Sequence, residues 1–195
     1  MEVTTLSFSN LHDHGPLFAE LLRARHRTFI GRNRWDLPEA DGMEFDQYDT
    51  PASRWIAVHD YGRVLAGVRL TPTTHRCGIY SYMIRDAQFG LLDSIPSDLL
   101  FAEAPVASHV WESSRVFISD EVPAKMRLRV QMRLISQMVA SARELGASSV
   151  IGLIPANSPR LARRVGLNCL AAGPVIDVGG MDSVCVTISM QTKMH

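Results

Sequence analysis

Apolar residues recur at helical intervals through residues 16–31 (PLFAELLRARHRTFIG), where Leu17, Leu21, Leu22 and Phe29 predict one buried stripe. Polar residues dominate 32–53, a stretch with Trp35, Pro38 and four acidic residues between Glu39 and Asp46. That composition predicts a long loop, and loops of this length in compact domains are functional or disordered. The runs 54–60 (RWIAVHD) and 63–70 (RVLAGVRL) flank Tyr61-Gly62 and predict a β-hairpin. Residues 79–83 give a further strand candidate and 86–92 a short helix. A buried strand is expected at 110–118 (VWESSRVFI). Asp120 is placed to cap a helix over about 124–145, with Met126, Met132, Ile135, Val139 and Ala142 toward the core and Gly146 as its stop. A strand at 149–154, a helix at about 157–165 and a strand at 183–190 complete the pattern.

A hairpin followed by alternating strands and helices predicts an α/β fold, a mixed sheet covered by helices, in one domain spanning 1–195. Hydrophobic residues make up 46% of the 195 and charged residues 21%, enough for a substantial core. The formal net charge is zero, so no bulk field favours nucleic acid, and a charged partner needs a local patch. Cys77, Cys169 and Cys185 are odd in number and widely spaced, which fits neither a disulfide framework nor a zinc site. No basic and then apolar leader opens the chain, and no apolar run approaches a membrane span; a cytoplasmic protein is expected. Neither a G-x-G-x-x-G nor a Walker loop is present, which argues against a dinucleotide or nucleoside triphosphate site.

Three clusters carry candidate chemistry. Arg25 and Phe29, four apart on a helix, share a face, and Trp35 follows. An arginine with two aromatics suits stacking on an adenine or holding a cation against a ring face, though Phe29 alone also reads as core. In EFDQYD, Asp46 and Asp49 precede Arg69, which sits inside an apolar strand and needs a partner there. These carboxylates can order an ion-pair network, receive a substrate ammonium, or form a solvated acidic loop. Glu112 and Arg115 lie three apart on an apolar strand and face opposite sides unless a bulge intervenes. A buried Glu112 can serve as a general base for an amine, or the two can form a structural pair.

In order, and in spacing through Arg69, these residues resemble the acyl-homoserine lactone synthases of the LuxI type. That family carries Arg-x-x-x-Phe, a Trp, Asp-x-x-Asp, an Arg in a glycine-containing strand that continues x-x-Pro-Thr, and Glu-x-x-Arg. Here Arg25, Phe29, Trp35, Asp46, Asp49, Arg69, Glu112 and Arg115 match, with Arg69 inside Gly67–Thr73 (GVRLTPT). The resemblance implies a three-layer α/β/α sandwich related to N-acetyltransferases (GNAT-like), with a V-shaped cleft in the sheet. It implies S-adenosylmethionine as a substrate held by Arg25, Phe29, Trp35 and the acidic residues, with Asp46, Arg69, Glu112 and Arg115 at the reaction. It also implies an acyl group delivered by acyl carrier protein, release of methylthioadenosine with the lactone, and no cofactor or metal.

The segment before the long helix, SDEVPAKM, lacks the glycines that would hold the pyrophosphate of coenzyme A. Lys125, Arg127, Arg129 and Arg133 follow on that helix, helped by Arg160, Arg163 and Arg164, and form a candidate docking face for an acidic carrier protein. Gly152 falls where the family's Thr is associated with 3-oxo chains, so an unsubstituted acyl chain is expected, with Gly152, Met126 and Met132 leaving room for a long one. The 32–53 loop is expected to be mobile until S-adenosylmethionine binds. His12-x-His14 lacks a third ligand, Ser113 and Ser114 lack a G-x-S-x-G elbow, and Cys77 reads as a loop residue. Two other readings compete: an N-acyltransferase of another amine using acyl-coenzyme A, and a non-catalytic S-adenosylmethionine-binding module.

Overall fold

In the computed structural model, residues 1–158 and 166–190 are described. They form two compact units, each drawn from separate stretches of chain: Met1–Leu70 with Arg115–Ser141, and Thr71–Ser114 with the described residues from Ala142 onward.

The first unit opens with β1 (Glu2–Leu6) and α1 (Leu11–His26), and α1 widens into a π-helical turn at Arg27–Arg32. A two-stranded hairpin, β2 (Glu39–Ala40) and β3 (Met43–Glu44), turns on Asp41 and Gly42, both at positive φ. β4 (Arg54–Asp60) pairs antiparallel with β1 and with β5 (Arg63–Pro72). Tyr61 (φ 46°) and Gly62 (φ 79°) form the turn predicted between them, with the left-handed pair that tight hairpins favour. The unit also holds the end of β6 (Val110–Ile118) and most of α3 (Ala124–Glu144). Leu6, Leu21, Ala24, Phe29, Trp55, Ala57, Val64 and Phe117 form its core, flanked by Trp35 and Leu37. Gly67 lets α1 and β6 press onto β5: a Cβ there would lie 2.7 Å from both Leu21 Cδ1 and Phe117 Cε1.

The second unit holds α2 (Met83–Gln88), the start of β6, and β7 (Ser149–Pro155), β8 (Asn168–Asp177) and β9 (Asp182–Ser189). β6 runs parallel to β7, with Glu112 opposite Ile151 and Ser113 opposite Gly152. β9 is antiparallel to both β7 and β8, so parallel and antiparallel ladders coexist, the mixed α/β arrangement the sequence predicts. Val150, Ile151, Val184, Val186 and Ile188 are buried here.

Several expectations need correction. The first helix starts at Leu11 rather than 16, through a kink at His14 (φ −124°) just ahead of Pro16, whose ring disrupts a regular helix. Residues 79–83 make no strand; Cys77 and Tyr80 share one isolated bridge, and Met83 already belongs to α2, which ends at Gln88 instead of 92. The buried face of α3 is Val130, Leu134, Met138, Val139 and Ala142, while Met126, Met132 and Ile135 are only half-buried. Asp120 does not cap α3; it lies before the helix and accepts from Arg32 Nη1 at 2.5 Å. β1 and the β2–β3 hairpin are short and polar and give no strand pattern in the sequence, and β8 shifts register against β9 between Ala171 and Val175, around Gly173-Pro174. The helix expected at 157–165 falls mostly on residues outside those described, as do Arg160, Arg163 and Arg164.

Candidate active site

The first unit builds an ion cluster from residues distant in sequence. Arg25, in the last turn of α1, is 1% exposed. Its Nε donates to Glu44 Oε2 at 2.6 Å, and its two Nη atoms donate to the two carboxylate oxygens of Asp49 at 2.8 and 2.9 Å. Arg69, fully buried on β5, donates to Asp46 at 2.5 and 3.2 Å and lies 3.0 Å from Asp49. Arg115 reaches Glu44 at 3.1 Å and Asp46 at 2.8 Å. Three guanidinium groups thus meet three carboxylates, so the buried charges balance, as a low-dielectric site requires.

Backbone turns set this geometry. Asp46 accepts from Tyr48 N at 2.9 Å, the local turn aspartates favour, and Asp46 N donates to Asp49 at 2.9 Å. Trp55 Nε1 donates to Asp49 Oδ1 at 2.7 Å, and Arg69 lies over the Tyr48 ring. Burial alone would push both aspartates up, but the charges of Arg69 and Arg115 on Asp46, and of Arg69 and Arg25 on Asp49, together outweigh it and hold both below the usual carboxylate range. Burial would likewise lower Arg25, yet the charges of Asp49 and Glu44 raise it.

Beside this cluster Phe29 and Trp35 stack, with ring centroids 5.3 Å apart and planes at 12°. The π-helical turn, closed by Asn33 N donating to Thr28 O, and the bond from Trp35 N to Phe29 O bring the rings together. Widened turns of this kind recur at functional sites. Arg115 lies over the Phe29 ring, 5.5 Å from its centroid.

The second unit holds Glu112, fully buried on β6. Its Oε1 accepts from Ile84 N at 2.8 Å and its Oε2 from Met83 N at 3.3 Å, two of the N–H groups at the start of α2. Burial, and then the charge of Glu112, push Tyr82 above its ordinary value and Cys185 up to about 12. Gly152 faces Ser113 closely: a Cβ there would lie 2.5 Å from Ser113 Oγ.

The sequence expectations divide accordingly. Arg25, Asp46, Asp49, Arg69 and Arg115 come together, and the solvated acidic loop is ruled out, since the Asp46 and Asp49 side chains are 4% and 7% exposed. Arg25 is committed to two carboxylates and so anchors the site. The strand is irregular at Arg115, which has φ 52°, and the β6–β7 ladder ends at Ser113. Arg127 turns back to Ser119 O at 3.2 Å, while Lys125, Arg129 and Arg133 are exposed. Met126 and Met132 border two different surface grooves of about 470 and 570 Å³. Glu44 was missed although it opens the EFDQYD motif, because nothing local separates a buried carboxylate from a solvated one. Trp55 and Tyr48 were missed because their partners are visible only in three dimensions.

Among solved structures, an acyl-CoA N-acyltransferase from Pseudomonas aeruginosa shares the fold, with a TM-score of 0.62 at 16% identity over 95% of this chain and 97% of that one. The fold is therefore that of an α/β acyltransferase. LasI, described as an AHL synthase, superposes better, with a TM-score of 0.80 at 21% identity over 98% of this chain and 91% of that one. TofI, in a ternary complex with an inhibitor and MTA, gives a TM-score of 0.76 at 29% identity over 97% and 92%. The acyl-homoserine-lactone synthase of Ralstonia solanacearum is 33% identical over 181 residues, 90% of this chain and 83% of that protein. The autoinducer synthase family model matches residues 9–181, and the chain belongs to that family. It is an acyltransferase enzyme, an acyl-homoserine-lactone synthase.

Proposed function

We propose that this synthase acylates the amine of S-adenosylmethionine and then closes the lactone. The amine nitrogen attacks the thioester carbonyl carbon, its proton passes to Glu112 directly or through a water, and the carbon–sulfur bond of the donor breaks, the departing thiolate taking that proton from Glu112 to leave as a thiol. A methionyl carboxylate oxygen then attacks the carbon bound to the sulfonium. That carbon–sulfur bond breaks, and methylthioadenosine leaves with the lactone formed. The observation carrying this reading is the Phe29–Trp35 stack set beside an electroneutral cluster of Arg25, Arg69, Arg115, Glu44, Asp46 and Asp49. A stacked aromatic pair suits an adenine and a sulfonium, and balanced charges accommodate a zwitterionic amino acid. TofI, which holds MTA, is a relative consistent with that use.

The acyl donor in this reading is an acyl carrier protein. Support comes from Arg129 and Arg133, exposed along α3 and bordering the 570 Å³ groove with Val3 and Gln137, with Lys125 exposed one turn earlier. Coenzyme A is the alternative donor, since the neighbour BjaI is described as CoA-dependent. Gly152, which stands where the family's Thr is associated with 3-oxo chains and offers no hydroxyl, supports an acyl chain without a 3-oxo group. No added cofactor or metal enters the reaction as proposed. The test is to supply S-adenosylmethionine with matched acyl-carrier-protein and acyl-coenzyme A thioesters while following methylthioadenosine and lactone mass. Turnover with the carrier protein, weakened by K125E/R129E/R133E, is expected. Equal turnover with coenzyme A thioesters, indifferent to those changes, refutes the docking face, and acylated amine without methylthioadenosine refutes the reaction.

A further inference from the structure

Glu112 is held by a turn whose own shape depends on a residue that plays no part in the chemistry described. Both oxygens of Asp86 accept from Ser81 N, at 3.1 and 3.0 Å, and Oδ1 also accepts from Ser81 Oγ at 3.0 Å. Asp86 is 2% exposed, and its own N–H donates to Tyr82 O at 2.9 Å, closing the first turn of α2. Tyr82, the residue preceding α2, is pinned by its hydroxyl, which donates to Pro105 O at 2.6 Å. The next two backbone N–H groups, those of Met83 and Ile84, are the ones Glu112 accepts from. A helix of six residues has little stability of its own, so its first turn must be fixed from outside. A side chain reaching back to the backbone N–H ahead of a helix is how such starts are fixed.

We propose that Asp86 is a positioning residue for the reaction, clasping Ser81 so that the N–H groups of Met83 and Ile84 aim at Glu112. This rests on Glu112 acting as the base. Without the clasp, Ser81 N is left buried without its carboxylate, the turn loosens, and Glu112 loses donors that favour its ionised, proton-accepting form. Tyr82, at the start of α2, and Cys185, on β9, feel the charge of Glu112, and Arg85 on α2 acts on Tyr82. Tyr82 and Cys185 stay protonated through neutral pH, so neither titrates where the acid limb of activity is read.

The test uses the full chain and compares D86A, D86N and E112Q by methylthioadenosine release across pH 5.5–9, with KM for S-adenosylmethionine and a thermal melt for each. D86A is expected to lower kcat at least tenfold, move the acid limb up by about one pH unit, and leave that KM within twofold. D86N, whose amide oxygen can still accept from Ser81, is expected to fall between D86A and the parent, and it carries the test if D86A does not fold. The titration of the substrate amine is common to all variants and cancels in the comparison. An unmoved acid limb in D86A and D86N, or changes in KM and kcat that only track the melt, overturns the proposal. E112Q with parental kcat and acid limb overturns instead the reading of Glu112 as base.

Discussion

Arg25→Met takes the guanidinium out of the ion cluster while keeping much of the side chain's length. Arg25 makes three hydrogen bonds to two buried carboxylates, and removing one partner of a buried pair costs about 3–5 kcal/mol. The lower end applies, because Glu44 keeps Arg115, and Asp49 keeps Arg69, the Trp55 indole and Asp46 N. A loss of about 3 kcal/mol in a chain of this size lowers Tm by about 6–12 °C. The pH dependence has a definite sign. Burial would push Asp49 up, but Arg69 and Arg25 hold it down, so its contribution is complete above about pH 4 and fades as pH falls through the lower folded value. In the variant that folded value climbs, and Asp49 takes up a proton earlier, relieving the surplus negative charge. Calorimetry of both proteins at pH 7.5 and 4.5 should therefore show the gap narrowing on acidification. A gap below about 1 kcal/mol at pH 7.5, or one that widens toward pH 4.5, refutes the assignment of Arg25 as the anchor of two buried carboxylates.

Further outcomes are expected. Glu112→Gln should lower kcat about 10²–10⁴-fold in the methylthioadenosine assay while calorimetric binding of S-adenosylmethionine persists; near-parental kcat would remove Glu112 from the chemistry. Trp35→Ala should weaken S-adenosylmethionine about 2–10-fold with an unchanged lactone profile, and unchanged affinity would dissociate the stack from the substrate. Gly152→Ala should cost about 1–3 kcal/mol in a urea melt, and adding Ser113→Gly should restore much of it; strictly additive losses would deny the contact. Trypsin should cut after the exposed Arg32 and Arg34 more slowly when S-adenosylmethionine is bound, and equal rates would mean that this segment does not close on it.

Elements with a regular residue pattern are legible in the sequence alone. The β4–β5 hairpin follows from two alternating runs around Tyr61-Gly62, since few residue pairs adopt two successive left-handed conformations so readily. The span of α3 follows from its long helical period, and the grouping of Asp46, Asp49 and Arg69 from the cost of burying an arginine alone. Motif order placed the chain in its family for a related reason: each residue type is common, while their joint spacing is not. Other features depended on contacts distant in sequence. Which stripe of α3 is buried turned on what lies beneath it, and methionines at helical spacing fit either side. Residues 79–83 have strand-like composition, yet Asp86 and Glu112 supply the acceptors that start a helix there. Arg25 reads locally as a ligand-stacking residue and becomes an anchor because Glu44 and Asp49, 19 and 24 residues away, converge on it. Local sequence sets periodicity, turn chemistry and the need for a partner; only the tertiary fold decides which partner arrives, and so whether a charged side chain holds the site together or faces the substrate.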